Sequence, residues 1–125
     1  KVKSIPLKVS APFHCSLMKP AAEAMKDKIN NVKFRNPSFN VINNVTANAE
    51  LDSNNIKKLL IDQIFSTVKW RESIIKMSNN NINNFIEIGP GKVLTGMVKR
   101  TIKNANCFSI NTITDIKNLL NELKK

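Results

Sequence analysis

The chain has 125 residues, of which 42% are hydrophobic and 23% charged, an ordinary composition for a soluble globular domain. It contains no apolar run close to the roughly 20 residues that cross a bilayer and no secretory signal, so we expect a cytoplasmic protein without a membrane partner. Its two cysteines, Cys15 and Cys107, lack metal-ligand spacing and are too few for a disulfide-stapled scaffold, which predicts free thiols and no metal site.

The net charge is strongly positive, +11, from 20 Lys and Arg against 9 Asp and Glu. Such a charge suits nucleic acid, an anionic membrane or an acidic protein. The lysines are scattered, however, and asparagine is abundant, so the codon usage of an AT-rich genome explains the charge as well as an anionic partner does. A nucleic-acid partner is disfavoured, because the chain has one Trp, no Tyr and no recognised nucleic-acid motif.

The first residues predict a strand followed by a helix. Ile5, Leu7 and Val9 alternate with polar or neutral neighbours, as in a strand, which ends at Pro12. A helix is expected from Ser16, its N-cap, to about Asn30. Pro20 is tolerated in its first turn because first-turn amides have no intrahelical acceptor.

A second strand and helix are predicted further along. Residues 41–45 are expected to form a short strand. Asp52 or Ser53 caps the next helix, because each offers a side-chain oxygen to the free amides of the first turn. The apolar residues of this helix recur with a helical period: Ile56, Leu59, Leu60 and Ile64.

The second half of the chain continues the alternation. We expect two helices and two strands: helices at about 70–78 and 92–103, strands at 85–88 and 107–110. A last helix is capped by Thr112 or Thr114. One face of it is apolar: Ile116, Leu119, Leu120 and Leu123.

Strands that alternate with helices favour an α/β layer fold with parallel strand pairs. A sheet of three or four short strands is small, and its edges need covering. The first residue is Lys1 rather than Met, and the residues after it already resemble part of a fold. We therefore expect the chain to be part of a larger α/β structure.

His14 is the only histidine and lies at the predicted junction of a strand and a helix. Such junctions project side chains into clefts at the ends of strands. A neutral imidazole there can take a proton from a nucleophile and return it to a leaving group. A structural histidine is the alternative. A dyad with Cys15 is disfavoured, because adjacent side chains diverge at a helix start.

Gln63 falls on the apolar face of its predicted helix. An amide in that position must find hydrogen-bond partners or carry a desolvation cost. The open interpretations are the edge of the apolar stripe, a satisfied core amide, or a functional residue.

The loop of residues 89–92 (Gly-Pro-Gly-Lys) permits two interpretations. It resembles a phosphate-cradling loop between strand and helix, but it lacks the spacing of the known phosphate-binding motifs. A tight strand-to-helix turn explains it more simply. Lys99, Arg100 and Lys103 group at the end of the following helix, where they suit either the negative end of the helix dipole or an anionic partner.

Four segments together resemble one enzyme family. They are residues 9–18 (V-S-A-P-F-H-C-S-L-M), residues 41–45 (V-I-N-N-V), Gln63 leading to V-K-W at 68–70, and residues 87–96 (E-I-G-P-G-K-V-L-T-G) with Lys99 and Arg100. In these motifs, their order and their spacing, the chain closely resembles the C-terminal part of the malonyl-CoA:acyl-carrier-protein transacylases of fatty-acid synthesis. The resemblance covers nearly the whole chain.

The resemblance implies a role for each matching residue. His14 is similar to the family's general base and acid, which serves a serine nucleophile. Gln63 matches the position whose backbone carbonyl accepts a hydrogen bond from Nδ1 of that histidine. Phe13 matches a residue type associated with malonyl selection, and Lys99 and Arg100 match positions that dock the acidic acyl carrier protein. The implied substrates are malonyl-CoA and phosphopantetheinylated carrier protein, with no cofactor.

The resemblance also implies a fold and a missing group. Residues 11–125 correspond to the C-terminal part of an α/β-hydrolase-like large subdomain, and residues 1–10 to the last strand of a ferredoxin-like small subdomain. The family's serine lies in a G-H-S-x-G elbow, a string that this sequence does not contain. We therefore expect an upstream portion of the same enzyme as a partner, and no transfer by this chain alone. A non-catalytic module that binds carrier protein or CoA is the alternative.

Overall fold

The computed structural model describes residues 11–124, and the strand predicted at 1–9 lies outside them. The chain divides into two compact units, Lys1–Trp70 and Arg71–Lys125. Both contain helices and strands, so the α/β class is confirmed. Among the residues described, the strands form two separate two-stranded sheets rather than one sheet of three or four strands.

The first unit holds two helices and a short hairpin. A single 3₁₀ turn, Ser16–Met18, leads into α1, Lys19–Asn31. The strands β1, Val41–Ile42, and β2, Ala49–Glu50, pair antiparallel, and α2, Ser53–Asp62, packs against α1. Its core includes three buried apolar side chains, Ala22, Ala47 and Leu59.

Two predictions for this unit were wrong in detail. Ser16 does not cap α1, because a 3₁₀ turn comes first and the helix starts with Pro20 in its first turn and no side-chain cap. The strand at 41–45 ends after Ile42, because the side chain of Asn43 accepts hydrogen bonds from the backbone N–H groups of Val45 and Thr46 and bends the chain. The partner strand β2 is too short to show alternation in sequence.

The prediction for α2 is confirmed at its start. The side chain of Asp52 accepts a hydrogen bond from the backbone N–H of Asn55 at 2.9 Å, so Asp52 rather than Ser53 is the N-cap. Leu59, on the predicted apolar stripe, is buried, whereas Ile64 lies beyond the end of the helix.

The second unit contains a β-α-β arrangement, flanked in sequence by α3, Trp70–Asn79. The strands β3, Asn84–Ile88, and β4, Asn106–Ile110, are parallel, and α4, Val93–Thr101, connects them and packs against both. The last helix, α5, Ile113–Glu122, packs against β4. Parallel pairing is therefore confirmed here, while the pair in the first unit is antiparallel.

The N-terminus of α5 is fixed by a capping box. Thr112 rather than Thr114 is the cap: its hydroxyl accepts from the Asp115 N–H, and the Asp115 carboxylate accepts from the Thr112 N–H at 2.8 Å. Of the predicted apolar face of α5, Leu119 is buried and Leu120 is half exposed. In the described part of the chain, no helix has the length and apolar character needed to cross a membrane.

Candidate active site

His14 lies in the turn just before the 3₁₀ segment, with a backbone φ of 59°. This left-handed conformation is uncommon for a residue with a Cβ and costs about 1 kcal/mol. Such conformations cluster where a side chain must be held in a particular direction. The side chain of His14 is exposed, and the neighbouring thiol of Cys15 donates to the Pro12 carbonyl at 3.1 Å rather than to the imidazole.

Nδ1 of His14 lies 2.8 Å from the backbone carbonyl oxygen of Gln63, 49 residues away. Gln63 directly follows α2, and the last carbonyls of a helix have no intrahelical donor, so this oxygen is open to the imidazole. A carbonyl can only accept, so Nδ1 carries the proton and Nε2 is left as an acceptor in the neutral ring. Within residues 11–124, Nε2 has no hydrogen-bond partner.

The arrangement has the geometry that a general base needs. One ring nitrogen is fixed by a hydrogen bond, which sets the tautomer and limits rotation of the ring. The other is exposed and ready to accept a proton from a nucleophile. The carbonyl of Gln63 stands where a carboxylate stands in a Ser-His-Asp triad, and it orients the imidazole without adding a negative charge.

The side chain of Gln63 is half-buried and also bonded. Its Oε1 accepts from Nδ2 of Asn44 at 3.4 Å, and it lines a small cavity of about 90 Å³ together with Ile56 and Leu60. Of the interpretations open from sequence, a satisfied amide on an apolar face is the one observed. Asn44 belongs to the turn that follows β1, so this turn and the end of α2 meet directly behind the candidate base.

Phe13 and the basic pair differ in their placement. Phe13 precedes His14 in the same turn, and 58% of its surface is exposed. Lys99 and Arg100 lie in the last turn of α4, in the second unit, and both are exposed. Neither pairs with an acidic side chain among residues 11–124. Stabilisation of the helix end and contact with an anionic partner are both compatible with this placement.

The loop at 89–92 is a tight turn whose helix N-terminus is already occupied. The carboxylate of Glu87 accepts from the backbone N–H groups of Thr95 at 2.7 Å and Leu94 at 3.1 Å. These bonds, that of Thr95 first, lower the pKa of Glu87 below its ordinary value. A phosphate at this helix start would have to displace that carboxylate, so the simpler interpretation of the loop is favoured.

Two glycines in this loop are required by the backbone. Gly89 and Gly91 have φ values of 140° and 97°, a region that residues with a Cβ rarely adopt. The turn is closed by the hydroxyl of Ser109, which donates to the Gly91 carbonyl at 2.7 Å, and by the Gly91 N–H, which donates to the Asn111 side chain at 2.9 Å.

Curated proteins named malonyl CoA-acyl carrier protein transacylase match most of the chain. The Haemophilus influenzae protein is 39% identical over 111 residues, which are 89% of this chain and 36% of that protein. The Bacillus subtilis protein is 39% identical over 123 residues, 98% of this chain and 39% of that protein. The chain therefore spans less than two fifths of the length of these relatives, and it matches their C-terminal part.

Solved structures of malonyltransferases are similar to the chain as well. An acyl carrier protein S-malonyltransferase from Vibrio cholerae superposes with a TM-score of 0.87 and 41% identity, over 94% of this chain and 38% of that one. A malonyl-transacylase in complex with a type II polyketide-synthase acyl-carrier protein superposes with a TM-score of 0.86 and 34% identity, over the same shares. No family model matches the chain. The chain is similar to malonyl-CoA:acyl-carrier-protein transacylases over nearly its whole length. The resemblance seen in the motifs is thus confirmed.

Three polar side chains in the matched segments, those of Asn43, Asn44 and Glu87, make hydrogen bonds that the sequence did not predict. Residues 41–45 were interpreted as a strand, so the hydrogen bonds of Asn43 and Asn44 were not foreseen. The cap that Glu87 provides was also missed, although it lies in a segment that resembles the transacylases. The signal available for the first pair was the two adjacent asparagines at the end of an apolar run, which is typical of a turn.

A metal site is not observed in the part of the chain that the structure describes. Across residues 11–124, no group of three or more His, Cys, Asp or Glu side chains is placed to hold an ion.

Proposed function

We propose that this chain is the histidine-bearing part of a malonyl-CoA:acyl-carrier-protein transacylase of fatty-acid synthesis, acting in the cytoplasm. The observation that carries the proposal is the 2.8 Å contact between Nδ1 of His14 and the Gln63 carbonyl, with Nε2 left open. The contact occurs in a chain that is 39% identical to proteins named for this activity. In this proposal His14 is the general base and acid, and Gln63 orients it.

The proposal includes a finer description of the fold. Residues 11–125 form the C-terminal part of an α/β-hydrolase-like large subdomain, and residues 1–10 the last strand of a ferredoxin-like small subdomain. The parallel β3-α4-β4 unit supports the first part, because such units build sheets covered by helices. The rest of the large subdomain, with the serine, is supplied by an upstream portion of the same enzyme.

The proposed reaction is a two-step acyl exchange. Nε2 of His14 takes the proton from the serine hydroxyl as its oxygen attacks the malonyl thioester, and it returns that proton to the departing CoA thiolate. In the second step the imidazole takes the proton from the phosphopantetheine thiol of the carrier protein. The thiolate then attacks the acyl-serine, and the proton returns to the serine oxygen. No cofactor takes part in either step.

Three further residues are given roles in the proposal. Phe13, adjacent to His14 and largely exposed, contacts the malonyl group and favours it over branched acyl groups. Lys99 and Arg100 dock the acidic carrier protein. Their support is their exposure, the net charge of +11, and the solved complex of a similar malonyl-transacylase with its acyl-carrier protein.

The test joins this chain to the N-terminal portion of the Bacillus subtilis relative, which contributes the residues that precede the matched part. Transfer of labelled malonyl from malonyl-CoA to holo-acyl carrier protein is measured for the joined protein and for the 125-residue chain alone. We expect transfer by the joined protein only. Malonyl transfer by the isolated chain, or a folded joined protein without activity, would contradict the proposal. Binding of carrier protein by a joined protein that never transfers malonyl would favour a non-catalytic module instead.

A further inference from the structure

Any residue at position 63 would offer a backbone carbonyl to His14, so the amide side chain of Gln63 requires a separate explanation. That side chain is half-buried beside the apolar Ile56 and Leu60. An unbonded amide there carries a desolvation cost. Its Oε1 accepts from Nδ2 of Asn44 at 3.4 Å. The side chain therefore connects the end of α2 to the turn after β1.

Asn44 makes a second contact at the other end of the same segment. Its backbone carbonyl accepts from the N–H of Lys69 at 2.9 Å. Asn44 thus holds both ends of the connection between α2 and α3, residues 63–69. The carbonyl that faces His14 belongs to the first residue of this connection, so its direction depends on how the connection is held.

The turn that carries Asn44 is itself held by a second asparagine. Oδ1 of Asn43 accepts from the N–H groups of Val45 at 3.1 Å and Thr46 at 2.8 Å, while its Nδ2 donates to the Asn48 carbonyl at 3.0 Å. An amide side chain can do both, because its oxygen accepts and its nitrogen donates. The Asn44 side chain therefore reaches Gln63 from a turn that is fixed by hydrogen bonds.

We propose that Asn44 is a positioning residue that acts through Gln63 on His14. By binding the Gln63 side chain, it directs the Gln63 carbonyl at Nδ1 of the imidazole and keeps the proton on that nitrogen. The consequence for catalysis rests on the proposed function of His14 as the base. The effect of Asn44 on the tautomer of the imidazole does not depend on that proposed function.

The consequence follows from the two tautomers of a neutral imidazole. When Nδ1 carries the proton, Nε2 is free to accept one, and when Nε2 carries it, the ring cannot act as a base at that atom. Loss of one neutral hydrogen bond shifts such an equilibrium by about two- to tenfold. A weaker hold on the Gln63 carbonyl should therefore raise the Nε2–H population by a factor in that range.

The experiment uses the full 125-residue chain, in which His14 is the only histidine and gives a single set of imidazole signals. The nitrogen-15 shifts of the ring are measured at a pH where it is neutral, because they distinguish the two tautomers. We expect the Nε2–H population to rise about two- to tenfold in Asn44→Ala. Gln63→Ala should give a similar rise, since it removes the acceptor while leaving the backbone carbonyl and the turn in place.

The double variant and a control sharpen the result. If Asn44 acts through the Gln63 side chain, Asn44→Ala should add little in a Gln63→Ala background. The control is Asn54→Ala, an exposed asparagine in the first turn of α2, which should leave the shifts unchanged. An unchanged tautomer ratio in a folded Asn44→Ala chain would overturn the proposal. If that variant fails to fold, an unchanged ratio in Gln63→Ala would overturn it instead.

These measurements need neither serine nor malonyl-CoA, so their outcome is separate from the transfer assay. A tautomer shift without transacylase activity in the joined protein would keep the positioning role and remove the proposed function. Transacylase activity with no tautomer shift would keep the proposed function and remove the positioning role. In an active joined protein, Asn44→Ala should lower kcat more than it raises KM, because it affects the base rather than substrate binding.

Discussion

Two loops that lead into helices, residues 11–18 and residues 89–92, use their polar groups in opposite ways. In the first, Nδ1 of His14 is bound to the Gln63 carbonyl and Nε2 stays open. At the second, the carboxylate of Glu87, which lies in the preceding strand β3, accepts hydrogen bonds from backbone amides at the start of α4. A helix start can receive a ligand only when its own side chains leave its amides open. The difference locates the candidate chemistry in the first loop and gives the second a structural role.

The two loops also differ in charge. The orientation of His14 depends on neutral amide and carbonyl groups of Gln63 and Asn44. The start of α4 depends on an ionised carboxylate, and so does the start of α5, where Asp115 is the acceptor. Acid should therefore weaken the starts of α4 and α5, and also that of α2, whose cap is Asp52, without removing the neutral hydrogen-bond acceptors behind His14.

The largest expected effect comes from His14. Replacing it by Ala in the joined, active protein should lower malonyl transfer by about 10²–10⁴-fold, the usual contribution of a general acid–base. The measurement is kcat/KM with holo-acyl carrier protein, and Asn54→Ala is the control that should keep full activity. A loss of less than about tenfold would mean that His14 is a structural histidine after all.

Substitutions in the loop at residues 89–92 should change the stability of the chain rather than its chemistry. Gly91→Ala places a Cβ on a residue with φ of 97°, where no atom lies within 4 Å of it, so strain rather than a clash is the cause. We expect the free energy of unfolding in urea to fall by about 1–2 kcal/mol. Gly96→Ala is the matched control. It lies within α4 and its Cβ meets only the end of the Arg100 side chain at 3.8 Å, so it should gain up to about 1 kcal/mol.

The two loops should respond differently to acid. The backbone N–H of Thr95 is the main cause that lowers the pKa of Glu87 from its ordinary value of 4.5, and the Asn111 N–H lowers that of Asp115 from 3.8. A depressed pKa contributes stability above the ordinary value, and this is lost as pH falls through the pKa of the folded state. The melting temperature should therefore drop as pH falls below about 4.5.

The Glu87→Gln variant tests this assignment. It should melt at a lower temperature than the parent at neutral pH and show a smaller further loss in acid, because the titrating cap is gone. Asp27→Asn, on the exposed face of α1, is the control and should keep the parent's acid response. Identical acid profiles for Glu87→Gln and the parent would show that this carboxylate does not stabilise the start of α4.

Sequence alone predicted the elements whose stability is local. The apolar period and the caps at Asp52 and Thr112 located α2 and α5, because these signals lie within a few residues of each other. It did not predict β2 or the early end of β1, since a turn held by Asn43 decides both. The contact between His14 and Gln63 joins residues 49 positions apart, so no local pattern contains it. It came from the family resemblance, and the role of Asn44 came only from the structure.

The smallest expected effect belongs to Lys99 and Arg100. If they dock an acidic carrier protein, replacing both by Gln should weaken its binding to the joined protein by a few-fold at low salt, since each exposed charge pair contributes about 0.2–1 kcal/mol. The weakening should vanish at high salt, where exposed charges are screened. Lys117→Gln, an exposed lysine on α5, is the control for loss of a positive charge elsewhere on the chain. If the pair serves only the helix dipole, the double variant should lower the stability of the chain slightly and leave carrier-protein binding at the level of the Lys117 variant.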